Sequence, residues 1–260
     1  VAQNGSTEFS IEGSDQWTFL QDSIDLFAGD GLKTLGNGTA SISLLGGNTL
    51  FLKENSEIRI NQLEQDSSQK RASLELVSGE IWGHIGELQE NTDSFIKITT
   101  PKQSTNLSPG IFTVSVDEDN DTLSAIKGSL KTEIKNTSNS ETLSIDAGNQ
   151  ITINSNNQET ISNNTLEENL NDIPTTFIQS DWHLKNLSTF FPNEASAIKE
   201  KIASTIENSN ETENIENEQN AAIASPSITA PTENLDVPAT TTSIQIEGIA
   251  PENTYQISIN

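Results

Sequence analysis

Phe112-Thr113-Val114-Ser115-Val116 alternates apolar and polar side chains, and it lies between Ser108-Pro109-Gly110 and Asp119-Asn120-Asp121. Alternation with a period of two puts every second side chain on one face, the mark of a half-buried strand. The flanking clusters are turn chemistry, built from residues that tolerate positive φ or hydrogen-bond their own backbone. The same unit recurs in both directions. Ala40-Ser-Ile42-Ser-Leu44, Ile58-Arg-Ile60, Leu74-Glu-Leu76, Phe95-Ile-Lys-Ile98, Leu130-Lys-Thr-Glu-Ile134 and Ile151-Thr-Ile153 alternate likewise. Gly29-Asp30-Gly31, Gly36-Asn37-Gly38 and Gly46-Gly47-Asn48 break the run between them. Strands at short intervals with no long helix between them predict a mainly β domain, a sandwich, roll or solenoid rather than a βαβ fold.

The texture changes near Leu166. Leu166-Glu-Glu-Asn-Leu170 and the later Ile198, Ile202 and Ile206 place apolar residues four apart, on one helix face, and Pro192-Asn193-Glu194 supplies a helix start. One or two short helices are expected, with Phe177, Trp182, Phe190 and Phe191 clustered between them, packing the helical part onto the β domain or a neighbour. Glu, Asn and Ser then dominate up to about residue 226, too few apolar groups to offset the entropy of ordering. Alternation returns in Ser243-Ile-Gln-Ile246 and Tyr255-Gln-Ile257.

Composition limits the possible partners. The 260 residues hold 38 acidic and 13 basic side chains, a formal charge of -25. Phosphate recognition depends on Lys and Arg, so nucleic acid and anionic lipid are excluded as expected partners. The chain has no cysteine and no methionine, which leaves no disulfide framework and no thiolate chemistry, and points to a processed or excised chain. No apolar run approaches the roughly 20 residues of a membrane span. An acidic, Asn-, Ser- and Thr-rich chain without cysteine suits an extracytoplasmic bacterial protein, periplasmic or at the cell surface.

The stretch from Trp17 to Ile153 resembles the FecR domain family, the extracytoplasmic sensor modules. Leu26-Phe-Ala-Gly29-Asp30-Gly-Leu32-Lys-Thr34 is similar to its opening segment. Ala40–Leu44, Gly47 and Leu50-Phe-Leu52 follow as strand, turn and strand, and Asn55-Ser56-Glu-Ile58 as the Ser-led strand. Leu74-Glu-Leu76-Val-Ser-Gly79-Glu-Ile81-Trp82 is similar to the family's Leu-x-x-Gly-x-(aromatic) signature, and Phe95-Ile-Lys-Ile98-Thr-Thr100-Pro101 to its Thr-Pro strand. Gly128-Ser-Leu130 and Ala147-Gly148-Asn-Gln150 resemble the closing turns. Leu107-Ser108-Pro109-Gly110-Ile111-Phe112-Thr113-Val114 departs from the pattern, since Ser108-Pro109-Gly110 stands where the family usually reads Arg-Gly-Thr. Asp181-Trp182-x-x-x-Asn186 resembles a tail of multidomain surface versions, and the end of the chain resembles the start of an Ig-like repeat.

This reading divides the chain into a lead-in (1–16), a FecR-type β domain (17–159), a helical neck (160–207), a flexible linker (208–227) and a truncated Ig-like fragment (228–260). The resemblance implies a non-catalytic binding or sensing module on a stalk, with an envelope protein or glycan as partner and no cofactor. The alternatives are a periplasmic anti-sigma-linked relay and a β-solenoid surface enzyme acting on polysaccharide. His84 and His183 have no cysteine partner and read as packing or surface residues. No Gly-x-Ser-x-Gly nucleophile elbow is present. Asp117, Asp119 and Asp121 alternate as in calcium loops but lack the glycine and distal Glu of that motif, so a solvated turn is the first reading and calcium the second. Trp17 and Trp82 read as core caps before sugar platforms. Candidate binding residues are Ser108, Pro109, Gly110, Asp117, Asp119 and Asp121.

Overall fold

A computed structural model describes residues 1–12, 14, 16–65, 69–87, 93–135, 142–154, 170–203, 227–230 and 247–249. The chain divides into two units, Val1–Ala195 and Ser196–Asn260.

The first unit is mainly β, as its alternation predicts, and holds two sheets. One runs β1 (Ala2–Asn4), β5 (Thr39–Leu44), β6 (Asn48–Leu52), β8 (Lys70–Ile85), β11 (Gly110–Val116), β12 (Asn120–Lys127), β15 (Asn149–Asn154) and β16 (Asn171–Asp172). The other runs β3 (Thr18–Phe19), β2 (Thr7–Ser10), β4 (Gly31–Thr34), β7 (Glu57–Gln65), β8 again, β9 (Phe95–Thr99), β10 (Gln103–Leu107), β13 (Ser129–Ile134) and β14 (Thr142–Asp146). Neighbours are antiparallel apart from β8 and β9, which are parallel. The stretch 1–16, expected as a lead-in, supplies β1 and β2.

Strand β8 belongs to both sheets. Its first half pairs with β7 and β9, and from Gly79 onward it pairs with β11 and then β6. Gly79 sits at the changeover with φ +88°, a conformation that L side chains rarely adopt. A Cβ there would overlap both the backbone and the side chain of Ser56. Ser56 Oγ in turn accepts from the Glu80 N–H at 2.9 Å, tying the bend to the strand beside it.

The inward side chains of both sheets form one core. Leu32, Leu50, Leu52, Ile58, Leu74, Leu76, Ile81, Leu123, Ile145 and Ile153 are fully buried in it. Strand β10 carries little apolar content because its inward positions are polar. Gln103 and Thr105 are buried, and Thr132 Oγ1 accepts from Thr105 Oγ1 at 2.8 Å while donating to Gln103 Oε1 at 3.2 Å. A buried polar group is tolerated when it is paired in this way.

Of the second unit, β17 (Ser227–Ala230) and β18 (Glu247–Ile249) pair antiparallel. The rest of the expected linker and Ig-like fragment lies outside the described residues.

Replacing Gly79 with Ala forces both φ strain and displacement of Ser56. The expected cost is about 2–4 kcal/mol, read as a lower urea midpoint with an unchanged slope. A midpoint equal to the wild type would show that the bend is not needed.

Candidate functional site

On the second half of β8, Ile81 and Ile85 point into the core and Trp82 and His84 point to the opposite face. A bare Trp on a sheet face would expose a large apolar area. Here Trp82 is 0% exposed because a helical segment covers it. The segment contains α1 (Thr175–Ile178), α2 (Asp181–Phe190) and the start of a further helical run at residues 192–195. Ser180 caps α2, its Oγ accepting from the His183 N–H at 3.2 Å, and Asp181 places a negative charge in the first turn, where the helix dipole favours it. The aromatics lie mainly on the helices rather than between them: Phe177 on α1, Trp182 and Phe190 on α2, and Phe191 at its C-cap.

Helix α2 buries His183, Leu184, Asn186 and Leu187. With Trp82, Ile111 and Ala195 the two leucines are buried apart from the main core. The Phe190 ring stacks on Trp82 at 6.1 Å and on His84 at 4.3 Å, and it lies 6.2 Å from Phe51. Phe191 meets His84 edge-on at 5.6 Å. Lys127 lies 4.2 Å over the Phe191 ring and pairs with Glu194 at 2.6 Å.

One hydrogen bond joins helix to sheet inside this contact. Trp82 Nε1 donates to His183 Nδ1 at 3.2 Å. Burial lowers the pKa of His183 from 6.5 to about 4. His84 is also lowered, by burial first and then by the charge of Lys127. Among the described residues His84 Nδ1, Trp182 Nε1 and Asn186 Nδ2 are buried without a hydrogen-bond partner. Both histidines therefore serve as packing residues, but as the centre of an interface. The sequence carries no local signal for it, because Trp82 and His183 are 101 residues apart.

The candidate residues read from sequence occupy other places. Ser108-Pro109-Gly110 is the corner between β10 and β11, where the chain passes from one sheet to the other, with Pro109 exposed. Gly110 has φ +152°, and a Cβ on it would overlap the Lys127 carbonyl. Asp117 and Asp119 form the tip of the β11–β12 hairpin. Asp117 Oδ1 accepts from the Asp119 and Asn120 N–H groups at 2.9 and 2.7 Å, which lowers its pKa. Asp121 is fully buried and accepts from the Lys102 N–H at 2.8 Å. The corner and the tip lie at opposite ends of β11, roughly 20 Å apart at about 3.3 Å per residue. Among the described residues no three His, Asp or Glu side chains converge as a metal site, the three aspartates included. Trp17 is half-buried under the Lys33 ammonium, 4.4 Å from its ring.

Residues 30–131 match the family model described as FecR protein. Over this stretch the chain is similar to the FecR family. Two crystal structures described as candidate anti-sigma factors from Parabacteroides distasonis ATCC 8503 are similar to part of this chain. They share 13% and 15% identity, with TM-scores of 0.40 and 0.38 over 49% and 48% of this chain. The chain covers 56% and 54% of those structures, about half their length. No curated protein matches.

The residues that carry the FecR resemblance hold the fold together. The Asp30 carboxylate is buried and accepts from the Glu12 and Phe27 N–H groups at 3.0 and 2.8 Å. Thr34 Oγ1 accepts from the Ser56 N–H at 3.0 Å, Gly79 makes the bend, and Thr100 Oγ1 accepts from the Gln103 N–H at 3.1 Å.

Phe190→Ala removes the ring that touches Phe51, Trp82 and His84 together. The expected loss is about 2–4 kcal/mol of helix docking, with Trp82 emission moving to longer wavelength as water reaches the indole. Unchanged emission would show that α2 stays seated without Phe190.

Proposed function

We propose that this chain is a non-catalytic, extracytoplasmic binding and signal-relay module of the FecR type, whose partner is an envelope protein. The observation that carries the reading is the match over residues 30–131, which covers strands β4 to β12 and the start of β13. The strong acidic balance supports a protein partner over nucleic acid or anionic lipid. The geometry supports relay as well as binding. The helical segment rests on β8 and reaches Lys127 at the end of β12, and these two strands flank β11, whose ends are the exposed corner and the hairpin tip, so a partner seated at either end of β11 would load the strands beneath the helix.

Two measurements test the proposal. The purified chain, incubated with acidic polysaccharides with and without calcium, is expected to release no new reducing ends, and turnover would overturn the non-catalytic assignment. Photo-crosslinkers at Pro109 and Asp119 in intact cells are expected to give a discrete protein adduct from at least one position. The absence of adducts from both, with the protein recovered in the cytoplasmic fraction, would sink the binding reading.

A further inference from the structure

The contact that seats the helical segment is chemically one-sided. The Trp82 indole N–H can only donate, so His183 Nδ1, 3.2 Å away, accepts from it and carries no proton. The docked ring is therefore the neutral one. A proton on Nδ1 would set donor against donor, inside a contact where Trp82 is 0% and His183 1% exposed. The charged and titratable groups on the elements packed here offer no relief. On β8, Glu80 and His84 share the face of Trp82, and Glu80 pairs with Lys53 at 3.0 Å. Lys127 at the end of β12 pairs with Glu194. Asp181 and Lys185 lie on α2 itself. Among the described residues none of these forms an ion pair with His183, and burial lowers its affinity for protons.

We propose that residues 175–195 form a pH-gated latch: neutral His183 keeps the segment seated on the Trp82 face, and protonation of its ring unseats it while the two-sheet body stays folded. The chain has only two histidines, and both lie in this contact. Histidine is the side chain whose ordinary range falls between about pH 5 and 8. The main core is apolar and holds neither of them.

The direction follows from proton linkage. In the released segment His183 titrates near its ordinary 6.5, and in the docked one near 4. The released form therefore takes up the proton first. Docking is at full strength above pH 6.5 and weakens as the pH falls toward 4. The docking equilibrium falls roughly 30-fold by about pH 5. His84 acts in the same direction, because its pKa is also lowered and its ring is stacked on Phe190. The latch does not depend on the identity of the partner proposed above.

The test is hydrogen exchange on the full chain between about pH 7.5 and about 4.5, corrected for intrinsic exchange rates. Amides of residues 181–190 are expected to lose protection as the pH falls, while those of 110–127 keep theirs. His183→Gln retains an acceptor for the Trp82 N–H and does not titrate, so its profile is expected to be far flatter. Trp82→Phe is expected to dock more weakly at neutral pH and to respond less to acid. The latch is overturned if the wild-type segment keeps its protection at about pH 4.5, if it loses it together with 110–127, or if His183→Gln follows the wild-type curve. The wild-type profile decides even if a variant folds poorly.

Discussion

Strand β8 has to serve two sheets at once, and sixteen residues do it only by bending. The bend is at Gly79, where φ is positive and the Ser56 backbone approaches too closely for any Cβ. The rest of the two-sheet body depends on that geometry. Before the bend, β8 organises β7 and the one parallel pairing with β9. After it, the same strand lines up with β6 and β11 in the other sheet. The two sheets enclose one core because they share a strand.

The bend also decides which side chains leave the core. Beyond Gly79 the alternation sends Ile81 and Ile85 inward and Trp82 and His84 outward. A Trp pointing out of a sheet has to be covered or solvated, and here the helical segment covers it with Phe190 and His183. The cover has a chemical condition attached. An indole N–H needs an acceptor when buried, and a histidine supplies one only while it is neutral. A packing solution thereby becomes sensitive to protons.

Asp30, Thr34, Ser56, Gly79 and Thr100 were legible in the sequence as parts of a family pattern. In the structure they satisfy backbone donors and permit a bend. Such residues identify a fold and say little about its binding surface. The one departure from the pattern, Ser108-Pro109-Gly110, falls on a corner where the chain changes sheets and Gly110 lies against the Lys127 carbonyl. Asp117, Asp119 and Asp121 read as one acidic cluster. Two occupy a hairpin tip and the third is buried against Lys102, because strand alternation turns residues two apart to the same face only while the strand continues.

The sequence by itself determined the mainly β body, the position of about half the described strands and the helical start at Pro192, because period-two and period-four spacing are local and turn residues act on their own backbone. It did not reveal β10, whose inward Gln103 and Thr105 look like loop residues until Thr132 is placed opposite them. Tertiary structure alone decided that β8 is shared between sheets and that Trp82 meets His183. Pairing across 101 residues leaves no periodic trace in the chain, and whether a histidine is buried and neutral is set by what folds over it.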